Sequence, residues 1–118
     1  DGDADSALAV GVYLHRLRAG IAAMAAAMGG LDTLVFTGGV GEHAAPIRER
    51  AAAELGFLGV ALDPEANAGA TGDAEIGSKG AAVTTLVVTA REDVEIAHGV
   101  RQVLGAWLGE TAGRAPAR

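Results

Sequence analysis

The segment Leu31-Asp-Thr-Leu-Val-Phe-Thr-Gly-Gly-Val-Gly-Glu-His43 constrains this chain more than any other. An apolar run rich in strand formers ends at Thr37, breaks into Gly38-Gly39-Val40-Gly41 and leads straight into a helix-like stretch. Strand, glycine turn, then helix is the layout of a nucleotide-binding corner. Glycines let a backbone approach a ligand closely, and a helix N-terminus behind them favours anions. Open α/β sheets bind ligands at the C-terminal ends of their strands, where this turn falls. The backbone N–H groups of Gly39, Val40 and Gly41 can then face a phosphate or a nucleoside. The same glycines also suit a plain strand-to-helix connection that needs positive φ, and alone they divide the two readings evenly. The pattern is neither a P-loop, since no Lys-Ser/Thr pair follows, nor the dinucleotide G-x-G-x-x-G.

The flanking sequence surrounds this corner with α/β material. Asp3 to Met28 reads as one long helix, with Val10, Leu14, Leu17, Ile21, Met24 and Met28 as its apolar stripe. Asp3 and Asp5 suit a helix N-terminus, and Gly29-Gly30 ends the helix. Its Ala-rich flanks allow a close partner helix, within the chain or across a dimer seam. Leu31 to Phe36 reads as a buried strand. Ala44 to Leu55 reads as a second helix with Pro46 in its first turn. Ile47, Ala51 and Leu55 would face inward, Arg48, Glu49 and Arg50 water, and Gly56 would close the helix. Phe57 to Leu62 reads as extended, Asp63-Pro64 as a turn and Glu65 to Asp73 as a surface loop. Ala74 to Ile76 reads as a short strand, Ser78-Lys79-Gly80 as a turn and Ala81 to Thr89 as a strand. Ala90 to Trp107 reads as a turn into a final helix with an apolar face at Ile96, Val100, Val103 and Trp107. Gly109 to Arg118 reads as a flexible tail. With no internal repeat or dividing linker, the order predicts one α/β domain whose helices cover a mixed sheet.

Composition narrows the chemistry. Half of the 118 residues are hydrophobic, enough for a real core, yet the aromatics are only Tyr13, Phe36, Phe57 and Trp107. The core must be built from Ala, Val, Leu and Ile. The formal net charge is -6 and no Lys/Arg cluster exists, so nucleic acid and anionic membrane surfaces are poor partners. Absence of cysteine excludes disulfides and thiol chemistry and fits a cytoplasmic protein. No stretch resembles a signal peptide or a membrane span. The chain begins at Asp1 and reads as a piece of something longer, although a processed chain would look the same. His15, His43 and His98 share no metal-ligand spacing. Arg16 and Arg18 read as solvated or paired, Arg91 as surface, and Asp63, Asp73 and Glu75 as loop carboxylates without a partner motif.

Several ordered segments together resemble the acetate and propionate kinase family. Ala25-Ala-Ala-Met-Gly-Gly-Leu-Asp-Thr-Leu-Val-Phe-Thr-Gly-Gly-Val-Gly-Glu-His43 is similar to the family's Ala-Met-Gly-Gly-like helix end followed by F-T-G/A-G-I/V-G-E-N/H. Ile47-Arg48-Glu49 resembles V-R-E, and Glu54-Leu-Gly-Phe-Leu-Gly-Val60 resembles L-x-F-L-G-I. Leu62-Asp63 with Asn67 resembles L-D-x-x-x-N, and Ala90-Arg-Glu-Asp-Val-Glu-Ile-Ala97 resembles T-N-E-E-L-x-I-A. The resemblance runs from about Gly2 to Leu104.

This resemblance implies the C-terminal portion of an actin-like (ribonuclease H-like) ATPase domain. Residues 1–108 would form its nucleotide-binding and dimerisation part and 109–118 a tail. It implies that Gly39, Val40, Gly41, Glu42 and His43 contact the adenosine of ATP, with His43 standing where the family often has Asn. It implies that Glu92, at the first Glu of the T-N-E-E motif, serves Mg²⁺ at the phosphates, a role that suits a hard carboxylate. The implied parent activity is ATP + acetate ⇌ ADP + acetyl phosphate by a homodimer. The substrate-pocket arginines, the catalytic Asp and the H-L-G-x-G phosphate loop have no counterpart here, so no catalytic residue is assigned and the isolated chain is expected to be inactive. Propionate or butyrate kinase is the nearest alternative. A non-catalytic nucleotide-binding or dimerisation module, or a purely structural domain, are the others.

Overall fold

The computed structural model describes residues 3–112, with side chains through residue 105. Helix α1 (Ala4–Met28) opens on Asp3, whose carboxylate accepts from Asp5 N–H at 3.2 Å and from Ser6 Oγ at 3.3 Å. It closes on Gly29 in the left-handed region, φ 77°, with Gly30 N–H reaching Ala25 O at 2.9 Å. Leu14 and Ala25 are buried, and Val10, Leu17 and Ile21 pack against the core. Met24 and Met28, expected on the same stripe, are 59% and 67% exposed. The stripe repeats every seven residues, while a straight helix drifts about 20° per heptad. After two heptads the inward position has passed from Met24 to Ala25.

Strand β1 (Thr33–Phe36) pairs in parallel with β3 (Thr84–Val87), placing Leu34 opposite Thr85 and Phe36 opposite Val87. The two-residue β2 (Ala74–Glu75) joins the other side of β3 antiparallel, giving the order β1-β3-β2 and the expected mixed sheet. Leu34, Phe36, Thr85 and Val87 lie on its covered face. They pack with Leu14, Ala51, Ala52, Leu55, Val60, Ile76 and Val83, a core whose one aromatic member among the described residues is Phe36. On the opposite face Val35 is 46% exposed. Among the described residues, helices therefore cover one face of the sheet only.

Four local expectations are corrected. The glycine turn is itself a short helix, α2 (Gly38–His43), and a second helix, α3 (Ala45–Ala52), follows immediately with Pro46 in its first turn. Arg48, expected in water, is buried at 1% exposure. Phe57 to Leu62 is extended only in its second half, where Leu62 bridges Gly77 antiparallel: Gly56–Leu58 forms a 3₁₀ turn, and Gly56 opens that turn rather than closing a helix. Gly59 ends the turn at φ 92°, where an added Cβ would lie 2.7 Å from that of Ala82. The presumed surface loop contains α4 (Pro64–Gly69), started by Asp63 Oδ1 accepting from Glu65 and Ala66 N–H at 2.9 Å each.

Helix α5 (Glu92–Ala112) carries the expected final helix past Gly109, where the tail was expected to begin. Among the described residues its apolar face covers nothing: Ile96, Val100 and Val103 are 66%, 51% and 69% exposed. Periodicity reports which side of a helix is apolar, not whether a partner reaches it. The Trp107 side chain and residues 113–118 lie outside the described residues.

Candidate functional site

The site begins where β1 runs out. Thr37 is extended, Gly38 turns the chain at φ 72°, and α2 starts at once. The glycines here have different reasons to be glycine. Gly38 needs the left-handed backbone. Gly41 needs the space, since a Cβ there would sit 3.2 Å from the backbone carbon of Phe36. Gly39 needs neither: its φ is ordinary and an added Cβ would meet nothing within 4 Å. Gly39 and His43 are exposed and Val40 is 48% exposed, so this side of α2 is open.

Glu42 points the other way. Its Oε1 accepts from Gly38 N–H and from Ala90 N–H, both at 2.8 Å. The carboxylate occupies the N-terminal end of α2, where the sequence left room for an anion. The free surface of the turn is thus that of Gly39, Val40 and His43, which suits an uncharged nucleoside better than a phosphate.

Arg48 holds the far end of α2. Nη1 donates to the carbonyls of Gly41 at 2.9 Å and Glu42 at 2.8 Å. Nε donates to Asn67 Oδ1 at 2.8 Å, and Nη2 to the Asn67 carbonyl at 2.7 Å. Asn67, also buried, donates from Nδ2 to the Ala45 carbonyl at 3.1 Å. The partners are the last carbonyls of a helix, the negative end of its dipole, and no carboxylate is among them. Burial pulls the guanidinium pKa below its ordinary value, yet arginine stays protonated in proteins. The sequence carried a signal for this residue. Arg48 shares the i, i+3, i+4, i+7 row with Ala51, Ala52 and Leu55, all buried.

The second part of the site is the root of α5. Asp73 Oδ1 accepts from Thr89 N–H at 2.8 Å, and Oδ2 pairs with Arg91 Nη2 at 3.0 Å. The Thr89 backbone hydrogen bond, then the Thr89 side chain and the Arg91 charge, hold the Asp73 carboxyl below the usual carboxylate range. Arg91, read as plain surface, is one partner of this exposed ion pair. Arg18 is likewise paired, with Glu54 at 3.1 Å. Glu92 opens α5, exposed, beside an open cleft lined by Thr89, Arg91, Glu95 and Ile96. No group of three or more His, Cys, Asp or Glu residues gathers for a metal ion among the described residues. One exposed carboxylate fits a Mg²⁺ that keeps its waters and is shared with substrate phosphates, not one caged by protein. The Glu42 bond to Ala90 brings this segment beside α2; sequence spacing alone could not, since 48 residues separate the two.

The sequence pattern of the Acetokinase family matches residues 1–98. The acetate kinase of Gloeobacter violaceus is 56% identical over 98 residues, which are 83% of this chain and 24% of that protein. The crystal structure of Porphyromonas gingivalis acetate kinase superposes with a TM-score of 0.72 at 38% identity, covering 83% of this chain and 25% of that one. A propionate kinase from Francisella tularensis superposes at 0.68 with 34% identity, over 77% of this chain and 23% of its own. The chain thus spans about a quarter of the length of the relatives it matches, and its α/β architecture is the corresponding part of their fold. The chain belongs to the Acetokinase family.

Proposed function

We propose that this chain forms the nucleoside-facing wall of an acetate kinase, a phosphotransferase that converts ATP and acetate to ADP and acetyl phosphate with Mg²⁺. The observation that carries the reading is Gly39. The fold demands glycine at Gly38 and Gly41 but not at Gly39, where an added side chain would enter open space. Gly11, Gly20, Gly56, Gly69 and Gly99 are equally open, and what sets Gly39 apart is its place just past the C-terminal end of β1, where a ligand lying against the backbone gives a reason for glycine. The adenosine rests on Gly39, Val40 and His43, with Gly41 and Glu42 beneath. Glu92 faces the Mg²⁺ carried by the phosphates. When bound, that ion neutralises charge on the transferring phosphoryl group.

The chain alone does not turn over. In-line phosphoryl transfer needs positive charge around the γ-phosphate from several sides. At this site the chain offers backbone N–H groups and carboxylates, and its nearby cation, Arg91, is paired with Asp73. The working enzyme needs the other segments of such a kinase, as a homodimer in the cytoplasm. Exposed Leu8, Val12 and Met24 on α1 support self-association. Propionate as acyl substrate is the second reading, favoured by the superposition on a propionate kinase.

Calorimetric titration of the purified chain with Mg-ATP, beside Gly39→Val, tests the proposal. Saturable binding that the variant loses is the expected result. Silence from both, or equal binding by both, removes the turn as a nucleoside site of this chain.

A further inference from the structure

Helix α5 is held at its root and almost nowhere else. Every described residue from Ala90 to Gly105 is exposed. The holding is done at three consecutive residues by two carboxylates. Asp73 takes the Thr89 N–H and the Arg91 guanidinium. Glu42 takes the Ala90 N–H with the same oxygen that accepts from Gly38 N–H, at 2.8 Å in each case. Gly38 N–H is one of the donors that a helix start leaves without an intrahelical partner, and Ala90 N–H lies just before the next helix. A charged acceptor shared by both makes two of the stronger hydrogen bonds available to a backbone amide.

Building on the nucleotide reading above, we propose that Glu42 is a positioning residue that latches the start of α2 to the root of α5, fixing the distance between the Gly39 face and Glu92. Glu42 is then not a nucleotide ligand. It aligns the surface that meets the nucleoside with the carboxylate that meets the metal, and couples the two. The coupling runs through a single oxygen, so an amide in the same place preserves it: Gln Oε1 accepts from the same two N–H groups. A methyl group or a shorter carboxylate does not reach.

Two measurements on the full chain, each with Glu42→Gln and Glu42→Ala, test this. The first is amide hydrogen exchange by NMR and needs no ligand. Gly38 and Ala90 should exchange at least about tenfold faster in Glu42→Ala, with Glu42→Gln close to the parent. Thr89 N–H, held by Asp73, should be unchanged in all three and reports that the fold is intact. Unchanged exchange at Ala90 in Glu42→Ala, or Glu42→Gln as fast as Glu42→Ala, overturns the latch. The second is ATP affinity with and without Mg²⁺. Glu42→Ala should keep metal-free binding and lose the gain that Mg²⁺ brings, while Glu42→Gln keeps both. A full Mg²⁺ gain in Glu42→Ala overturns the coupling. Absence of ATP binding by the parent chain overturns the nucleotide reading and the coupling, and leaves the latch to be decided by the exchange data.

Discussion

Arg48 and Asn67 clasp each other at two points, Nε to Oδ1 at 2.8 Å and Nη2 to the main-chain carbonyl at 2.7 Å. The clasp joins α3 to α4, and the remaining Arg48 nitrogen reaches α2 through Gly41 and Glu42. One buried side chain thus fixes three short helices, none of which is long enough to be stable alone. The candidate ligand surface is the outer side of one of them.

Replacing Arg48 should therefore cost far more than a surface arginine. Arg48→Met keeps the bulk of the side chain but removes every donor to the buried Asn67 carbonyl and Oδ1 and to the half-buried carbonyls of Gly41 and Glu42. The expected loss is about 3 kcal/mol, the range for breaking a buried network of charge-assisted hydrogen bonds. Arg48→Lys should rescue little, because an ammonium lacks the planar fork that spans these acceptors. Urea denaturation followed by circular dichroism gives both values. A loss within about 0.5 kcal/mol for Arg48→Met, the scale of an ordinary surface change, would refute the clasp.

The sequence exposed this architecture unevenly. Helix α1 was legible because a seven-residue apolar repeat and a terminal glycine act within one element. Strands β1 and β3 are legible from local Val, Leu and Thr content, although only their cores pair; β2 holds none of these residues, and its place is fixed by its pairing with β3. Arg48 escapes notice because its charge points to solvent while its position lies on the buried row of Ala51, Ala52 and Leu55. The α4 segment reads as loop because Pro64 to Gly69 is too short and polar to show periodicity, although Asp63-Pro64 is itself a helix-start signal. The Glu42 bond to Ala90 joins residues far apart in the chain, and nothing local to either announces the other. The open faces of the sheet and of α5 were illegible for another reason: amphipathic pattern is the same whether or not the covering partner lies in the same stretch of chain.

Thr85 gives a prediction of opposite sign. It is fully buried in β3, and among the described residues its Oγ1 has no hydrogen-bond partner. A desolvated hydroxyl without a partner is a cost to the folded state. Thr85→Val removes it while keeping the branched shape that suits a strand. Stability should rise by about 1 kcal/mol. A lower urea midpoint for Thr85→Val would mean that the hydroxyl has a partner after all.

The three glycines of α2 should separate cleanly. Gly39→Ala places a methyl in open space within a helix and should be neutral or stabilising by up to about 1 kcal/mol. Gly38→Ala forces a side chain into the left-handed region and should cost about 1 kcal/mol or more. Gly41→Ala presses on the Phe36 backbone at 3.2 Å, so α2 must shift away from β1. Its cost should be about 1–3 kcal/mol, as for other overpacked sites. Urea midpoints of the three variants give the order Gly39→Ala above Gly38→Ala and Gly41→Ala. An equal loss at Gly39 would place a structural demand there and remove the main support for a ligand.

Acid should release the root of α5. The Asp73 carboxyl is held below its ordinary range by the Thr89 N–H first and by Arg91 after it, so its folded-state pKa lies below the unfolded value of about 3.9. A depressed carboxylate contributes stability that is present above the unfolded pKa and is lost as the pH falls through the folded one. The stability difference between the parent chain and Asp73→Asn should thus be constant from about pH 6 to 8 and shrink below about pH 4. Because the pair is exposed, added salt should weaken the Arg91 part and leave the Thr89 hydrogen bond. Thr89 amide exchange in the parent chain, corrected for its intrinsic pH dependence, should accelerate over the same acid window. If the difference from Asp73→Asn instead grew below pH 4, the carboxylate would be better stabilised in the unfolded chain, which would refute the Asp73–Arg91 pair.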